Sequence, residues 1–206
     1  MKNLHGVTNK IMKNNIELSK MSQADWKDYI GRNRSTLFNS YPNYDFNLRF
    51  KIMMDFKEIL EENGITLYLS GGALLGAKRD KDFIKWDHDV DMDVLAEELE
   101  PKCELVFKKL LDKGYIVRLI KTYPKLKINV HHGGEKVGIL GMYSENSTRH
   151  RQNIQYPEWI YQETETINFR GVDFVTPNIN GYLNHTYGKD WLIEKRDNFF
   201  SDALFK

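Results

Sequence analysis

The chain is nearly devoid of cysteine, with one residue, Cys103, among 206. A single thiol excludes an internal disulfide framework and a cysteine zinc cluster, and it fits a reducing cytoplasm. Long apolar runs are missing too, so the sequence predicts no transmembrane helix. Met1 to Ser22 carries Lys and Asn without an apolar core of signal-peptide type, which makes the expected location cytoplasmic. Neither sign of charge is in excess: 30 basic against 29 acidic residues leave a formal net charge of +1. That balance gives no general electrostatic case for nucleic acid or an anionic membrane, while leaving peripheral membrane association open. Internal repeats and low-complexity tracts are absent.

What is present suffices for one folded domain. Hydrophobic residues make up 41% of the chain, enough to bury a core. Residues 1–45 read as a polar N-terminal helical extension, with a short helix near Gln23 to Ile30, and residues 46–206 as the domain proper. Leu48, Ile52, Phe56, Ile59, Leu60 and Asn63 recur at helical spacing up to a stop at Gly64. Ile65 to Leu69 reads as a strand, Ser70-Gly71-Gly72 as a turn, and Ala73 to Ala77 as a helix start. Glu97 to Lys113 reads as a second long helix, ended by Gly114. Tyr115 to Ile120, Leu126 to His131 and Val137 to Tyr143 read as strands, the last two joined at His132-Gly133-Gly134. Thr164 to Phe169 and Val172 to Thr176 form a predicted hairpin around Arg170-Gly171. Asn178 to Tyr187 is a last helix, with Tyr182, Leu183, Tyr187 and Trp191 in the core. Helices and strands mix without regular alternation, which predicts an α+β fold with a mixed sheet.

The densest chemical signal is Asp87-His88-Asp89-Val90-Asp91-Met92-Asp93. Read as a strand, it puts Asp87, Asp89, Asp91 and Asp93 on one face and Val90, Met92 and Val94 on the other. Clustered carboxylates repel, so the pattern points to a bound cation; hard oxygen ligands suit Mg²⁺ or Mn²⁺ shared with phosphate. A solvated edge strand is the plainer alternative. One connection upstream, Ser70-Gly71-Gly72 lies between a strand and a helix start. Such a turn lets a backbone or a phosphate approach closely, although Gly-Gly alone is more often a plain turn.

Residues 70–92, SGGALLGAKRDKDFIKWDHDVDM, resemble the signature of the LicD family, which includes fukutin and fukutin-related protein. The resemblance continues through His150-Arg151-Gln152, Tyr156-Pro157, Thr176-Pro177, Tyr182-Leu183 and Tyr187-Gly188, covering roughly residues 48 to 192. It implies a nucleotidyltransferase-like palm as the catalytic domain. It also implies transfer of a phospho-alcohol, phosphocholine-like or ribitol phosphate-like, from a CDP-activated donor to a glycan or glycan precursor. Carried over by position, Asp89 and Asp91 become the metal ligands and Asp87 an outer carboxylate. Gly71 and Gly72 line the phosphates. Arg79 becomes a candidate phosphate contact, with a salt bridge to Asp80 or Asp82 as its rival reading. Lys85 stands where the family usually has proline, and its charge is placed to neutralise donor phosphate. Trp86 reads as core packing before base stacking. The role of His150-Arg151-Gln152 is either to orient a phosphate or to pin a loop.

One departure bears on catalysis. Sites of this type often take a third carboxylate from a neighbouring strand. Aligning Lys136 to Tyr143 with that strand puts Gly138 where the acid belongs. Candidate substitutes are Asp173, on a hairpin that would add itself beside Val137 to Tyr143, then Glu135, His131 and His132. The two histidines read more simply as a polar strand end. Lys108-Lys109 and Lys125-Leu126-Lys127 read as solvated faces. The expected function is a Mg²⁺-dependent LicD-type phosphotransferase. The alternatives are a nucleotidyltransferase acting on a small molecule or sugar phosphate, and a non-catalytic domain that binds nucleotide or glycan.

Overall fold

The computed structural model describes residues 44–195; the expected helix near Gln23 to Ile30 lies outside them. Helix α1, Phe46–Glu61, starts where the Asp45 carboxylate accepts from the Asn47 and Leu48 amides, at 3.1 and 2.9 Å. It buries a stripe of Ile52, Met53, Phe56, Ile59 and Leu60 and ends at Gly64, whose φ of 61° suits glycine. The segment expected as strand Ile65 to Leu69 makes only isolated bridges through Tyr68, to Asp93 on one side and Val175 on the other. Helix α2 is Gly71–Arg79, so both glycines of the expected turn are already helical. Strand β1 is Val90–Leu95. The single helix expected over Glu97 to Lys113 is broken into α3 (Ala96–Leu99), a 3₁₀ turn (Glu100–Lys102) and α4 (Cys103–Asp112). Pro101, which lacks an N–H and crowds the preceding turn, accounts for the break.

Strands β2 (Ile116–Thr122), β3 (Lys125–His132) and β4 (Glu135–Glu145) form an antiparallel run. β1 joins β4 in parallel, and β5 (Thr148–Arg151) and β6 (Ile154–Pro157) extend from the far end of β4. Helix α5, Trp159–Gln162, leads into the hairpin β7 (Glu165–Phe169) and β8 (Val172–Thr176), then α6, Ile179–Tyr187. The architecture is α+β with a mixed sheet, as the pattern of elements predicts.

Period-2 alternation divides the sheet into two faces. Val90, Met92, Val94, Ile128, Val130, Val137 and Ile139 are buried on the face that packs against α1, α3 and α4. The opposite face is polar. The pairings Asp91↔Gly138, Gly138↔Asn129 and Asn129↔Arg118 lay these four residues across four strands in one row.

Arg49 ties the helical layer to this face. It is fully buried and meets the Glu135 carboxylate at 2.6 Å, and its other arm donates to the Asp87 carbonyl at 2.9 Å. The Tyr44 ring lies 4.7 Å from the guanidinium. Glu135 is thus a structural anchor, which removes it as a substitute base. Truncating one partner of a buried pair strands the other charge, so Glu135→Leu is expected to cost about 3–5 kcal/mol in urea unfolding. Arg49→Met combined with Glu135→Leu should recover part of that loss. A near-neutral Glu135→Leu would contradict the anchoring role.

Candidate active site

The acidic segment does not run as one strand. β1 begins at Val90, so Asp87 and Asp89 sit on the loop before it and only Asp91 and Asp93 share a strand face. The expected four-carboxylate face is therefore corrected, and the cause is tertiary. Arg49 holds the Asp87 carbonyl, and the Asp87 carboxylate turns back onto the start of α2. Nor is β1 an edge strand: β4 flanks one side and Tyr68 the other.

Asp87, His88, Asp89 and Asp91 line one cavity of about 280 Å³. Gly71 and Gly72 form its floor at the start of α2, Trp86, Tyr156, Tyr182 and Tyr187 give it an aromatic wall, and Arg151 contributes the cation. The room left by the glycines is used by the chain itself. A Cβ on Gly72 would lie 2.2 Å from Asp87 Oδ2, and one on Gly71 would lie 3.3 Å from the Asp91 carbonyl oxygen.

Each acid meets a different environment. Burial, reinforced by the Asp89 charge, pushes the Asp87 carboxyl up to about 6. Asp89 is paired with Lys136. Asp91 Oδ2 accepts from Lys127 Nζ at 2.8 Å. Burial works to raise the Asp91 carboxyl, but Lys127 and Lys136 outweigh it and hold it below its ordinary value. Burial lowers the Lys127 ammonium, against the pull of Asp91. Lys127, expected on a solvated face, instead has its side chain only 13% exposed on the polar face of the sheet. Asp93 is fully buried, and its Oδ2 accepts from the Tyr161 hydroxyl at 2.7 Å.

The other candidates scatter. Arg79, at the far end of α2, grips both oxygens of Asp80 at 2.7 and 2.8 Å, the rival reading of its role. Lys85 is exposed and outside the cavity wall, while Trp86 both packs on the core and lines the cavity. Asp173 is exposed and accepts from Asn168 at 2.7 Å. Its hairpin joins the fold through Tyr68, beyond β1, rather than beside β4 as expected. His131 is buried rather than a polar strand end. Burial, with Lys136 and Lys127 nearby, drives its pKa down to about 3, so it is neutral at pH 7. His132 is exposed and meets Tyr115 edge-on.

Gly138 has a steric reason. A Cβ there would lie 2.4 Å from Asn129 Oδ1 and 2.8 Å from Asp91 Oδ1. Asn129 thus occupies the ground that a carboxylate at 138 would need. Both oxygens are buried without a hydrogen-bond partner among the described residues. Asp87, His88 and Asp89 also present ligand atoms within 4.8 Å of one another. Unsatisfied buried acceptors beside grouped carboxylates fit a divalent cation.

Two outcomes follow from this geometry. Gly138→Ala should destabilise the fold by about 1–3 kcal/mol through overpacking, and Asn129→Ala in the same chain should restore part of it. Equal denaturation midpoints for wild type and Gly138→Ala would refute the steric account. For Asp87, the folded carboxyl holds its proton to a higher pH than the unfolded one. Native stability is therefore lost as pH rises from about 4 to about 6 and is level above that. Asp87→Asn removes this cost, so its advantage over wild type in chelator-treated samples should grow by about 2–3 kcal/mol between pH 4 and 7.5. An advantage that shrinks as pH rises would reverse the sign and reject the assignment.

A family model described as LicD/FKTN/FKRP, nucleotidyltransferase domain, matches residues 64–179. Ribitol 5-phosphate transferase FKRP of Homo sapiens and that of Mus musculus are each 27% identical to this chain over 135 residues. These matches cover 58% of this chain and 27% of the relatives, so the chain spans about a quarter of their length. An uncharacterized protein of Rickettsia typhi is 31% identical over 78 residues, covering 36% of this chain and 24% of its own. Among solved structures, ANT(2")-Ia in complex with adenylyl-2"-tobramycin superposes with a TM-score of 0.46 at 13% identity, over 65% of this chain and 71% of that one. The Megavirus polyadenylate synthase superposes with a TM-score of 0.38 at 15% identity, over 75% and 30%. From the match over residues 64–179, the chain belongs to the LicD/FKTN/FKRP nucleotidyltransferase-domain family.

Proposed function

We propose that this protein is a Mg²⁺-dependent phosphotransferase that moves a phospho-alcohol from a CDP-activated donor to a glycan or glycan precursor. The observation that carries the reading is the convergence of Asp87, Asp89 and Asp91 on one cavity with an aromatic wall. The transferase class follows from the family, and the curated relatives named ribitol 5-phosphate transferases support a phospho-alcohol as cargo.

Asp89 and Asp91 are the residues that would hold the metal, with Asp87 beside them. Bound there, Mg²⁺ or Mn²⁺ would neutralise diphosphate oxygens and stabilise the departing nucleoside monophosphate. Lys136 and Lys127 keep the remaining acidic charge balanced next to an incoming polyanion. The acceptor hydroxyl attacks the distal phosphorus. Its new O–P bond forms as the P–O bond to the nucleoside monophosphate breaks, and its proton passes to a base. Asp87 lines the cavity beside Asp89 and Asp91, and its carboxylate is the candidate to accept that proton, in place of the exposed Asp173. Tyr156 and Tyr182, stacked 4.9 Å apart, stiffen the wall against which a donor would lie.

A second reading, a binding domain without turnover, draws on one observation: Gly138 offers no carboxylate, and Asn129 fills its surroundings. A panel of nucleotides read by thermal shift and by product release separates the readings. CDP or CTP should raise the melting temperature only with Mg²⁺, and more than ATP or GTP does. Asp89→Asn and Asp91→Asn should each weaken Mg²⁺-dependent CDP binding by about 10-fold or more while remaining folded. Persistence of that binding in both variants would remove the assigned site. Binding without release of nucleoside monophosphate from any CDP-alcohol and glycan pair would favour the second reading.

A further inference from the structure

Arg151, at the end of β5, is the cation of the cavity wall. Its Nε is buried and has no hydrogen-bond partner among the described residues. Its charge faces Asp93 Oδ1 at 3.7 Å, too long for a hydrogen bond. Asp93 Oδ1 is itself buried without a hydrogen-bond partner among the described residues, whereas Oδ2 is fixed by Tyr161. A guanidinium carries five donors in a rigid fork, and buried donors in native proteins normally find acceptors. Here the guanidinium stands beside one carboxylate without hydrogen-bonding it, its Nε is left without an acceptor, and the side chain is set in the wall of a cavity that also carries Asp87, Asp89 and Asp91. The ligand chemistry that satisfies such a fork is a phosphate, held by two parallel N–H···O bonds. That chemistry also accounts for the fourth aspartate of the acidic run, which lies on the strand face of Asp91 but turns to Arg151 and Tyr161.

We propose that Arg151 grips a phosphate of the bound nucleotide and that Asp93 is its positioning residue rather than a metal ligand. The inference rests on the reading of the cavity as a nucleotide diphosphate site. The probe is inorganic pyrophosphate with Mg²⁺, titrated calorimetrically into the full chain. Arg151→Met should weaken pyrophosphate binding by about 10- to 100-fold. Arg151→Lys keeps the charge without the fork and should fall between Met and wild type. Asp93→Asn should weaken pyrophosphate several-fold. The affinity of Mn²⁺ alone should stay within about twofold in all three variants, a readout that a merely structural role would not separate from the first. If Arg151→Met fails to fold, Arg151→Lys carries the test. Equal pyrophosphate affinity in wild type and Arg151→Lys, no pyrophosphate binding in wild type, or parallel loss of Mn²⁺ and pyrophosphate would each overturn the proposal. CDP binding that needs Mg²⁺ and Asp89 but not Arg151 would sink this inference and leave the proposed function standing. Arg151-dependent pyrophosphate binding with no preference for CDP over ATP would do the reverse.

Discussion

Four aspartates within seven residues repel one another, and the site is organised around the way each charge is balanced. Asp87 is half-buried against the α2 N-terminus, where desolvation pushes its carboxyl up to about 6. Asp89 leans on Lys136, Asp91 on Lys127, and Asp93 on Tyr161 and Arg151. These partners come from β3, β4, β5 and α5, so the acidic segment is held only once the sheet has formed around it. Removing one partner strands its acid, which makes the loop and sheet interdependent.

The same constraint explains the polar face. A sheet buried on one side by α1, α3 and α4 ordinarily shows water the other. Here Asn129, His131 and Arg118 are buried, and Lys127 and Lys136 are largely covered. Gly138 sits in the middle of this row because Asp91 and Asn129 oxygens already fill the volume of a side chain there. Within this chain, an acid at 138 and the present Asn129 exclude each other on steric grounds. Position 138 therefore supplies no carboxylate to the cavity, whose lining acids are Asp87, Asp89 and Asp91.

Much of the frame was legible from periodicity. Helix α1, the β3–β4 connection, the β7–β8 hairpin and α6 follow directly from apolar spacing and glycine stops. The short strands β5 and β6 escaped because Thr148–Arg151 is polar throughout and four residues carry no usable alternation. Lys127 was misread because alternation separates two faces without saying whether the polar one meets water or a site. Asp173 was misplaced because pairing through a single bridge at Tyr68 has no local signature. The acidic run was recognisable as a site, but its split between loop and strand depends on Arg49, 38 residues upstream of Asp87. Such long-range hydrogen bonds leave no spacing to read.

The central claim is that Asp89 and Asp91 hold a divalent ion against a nucleotide diphosphate. The most direct measurement is anomalous X-ray scattering from crystals grown with Mn²⁺ and CDP. The account predicts one strong peak within bonding distance of the Asp89 and Asp91 carboxylates, also ligated by a CDP phosphate oxygen. A peak elsewhere on the molecule, or CDP bound in the cavity with no metal at these two carboxylates, would contradict it.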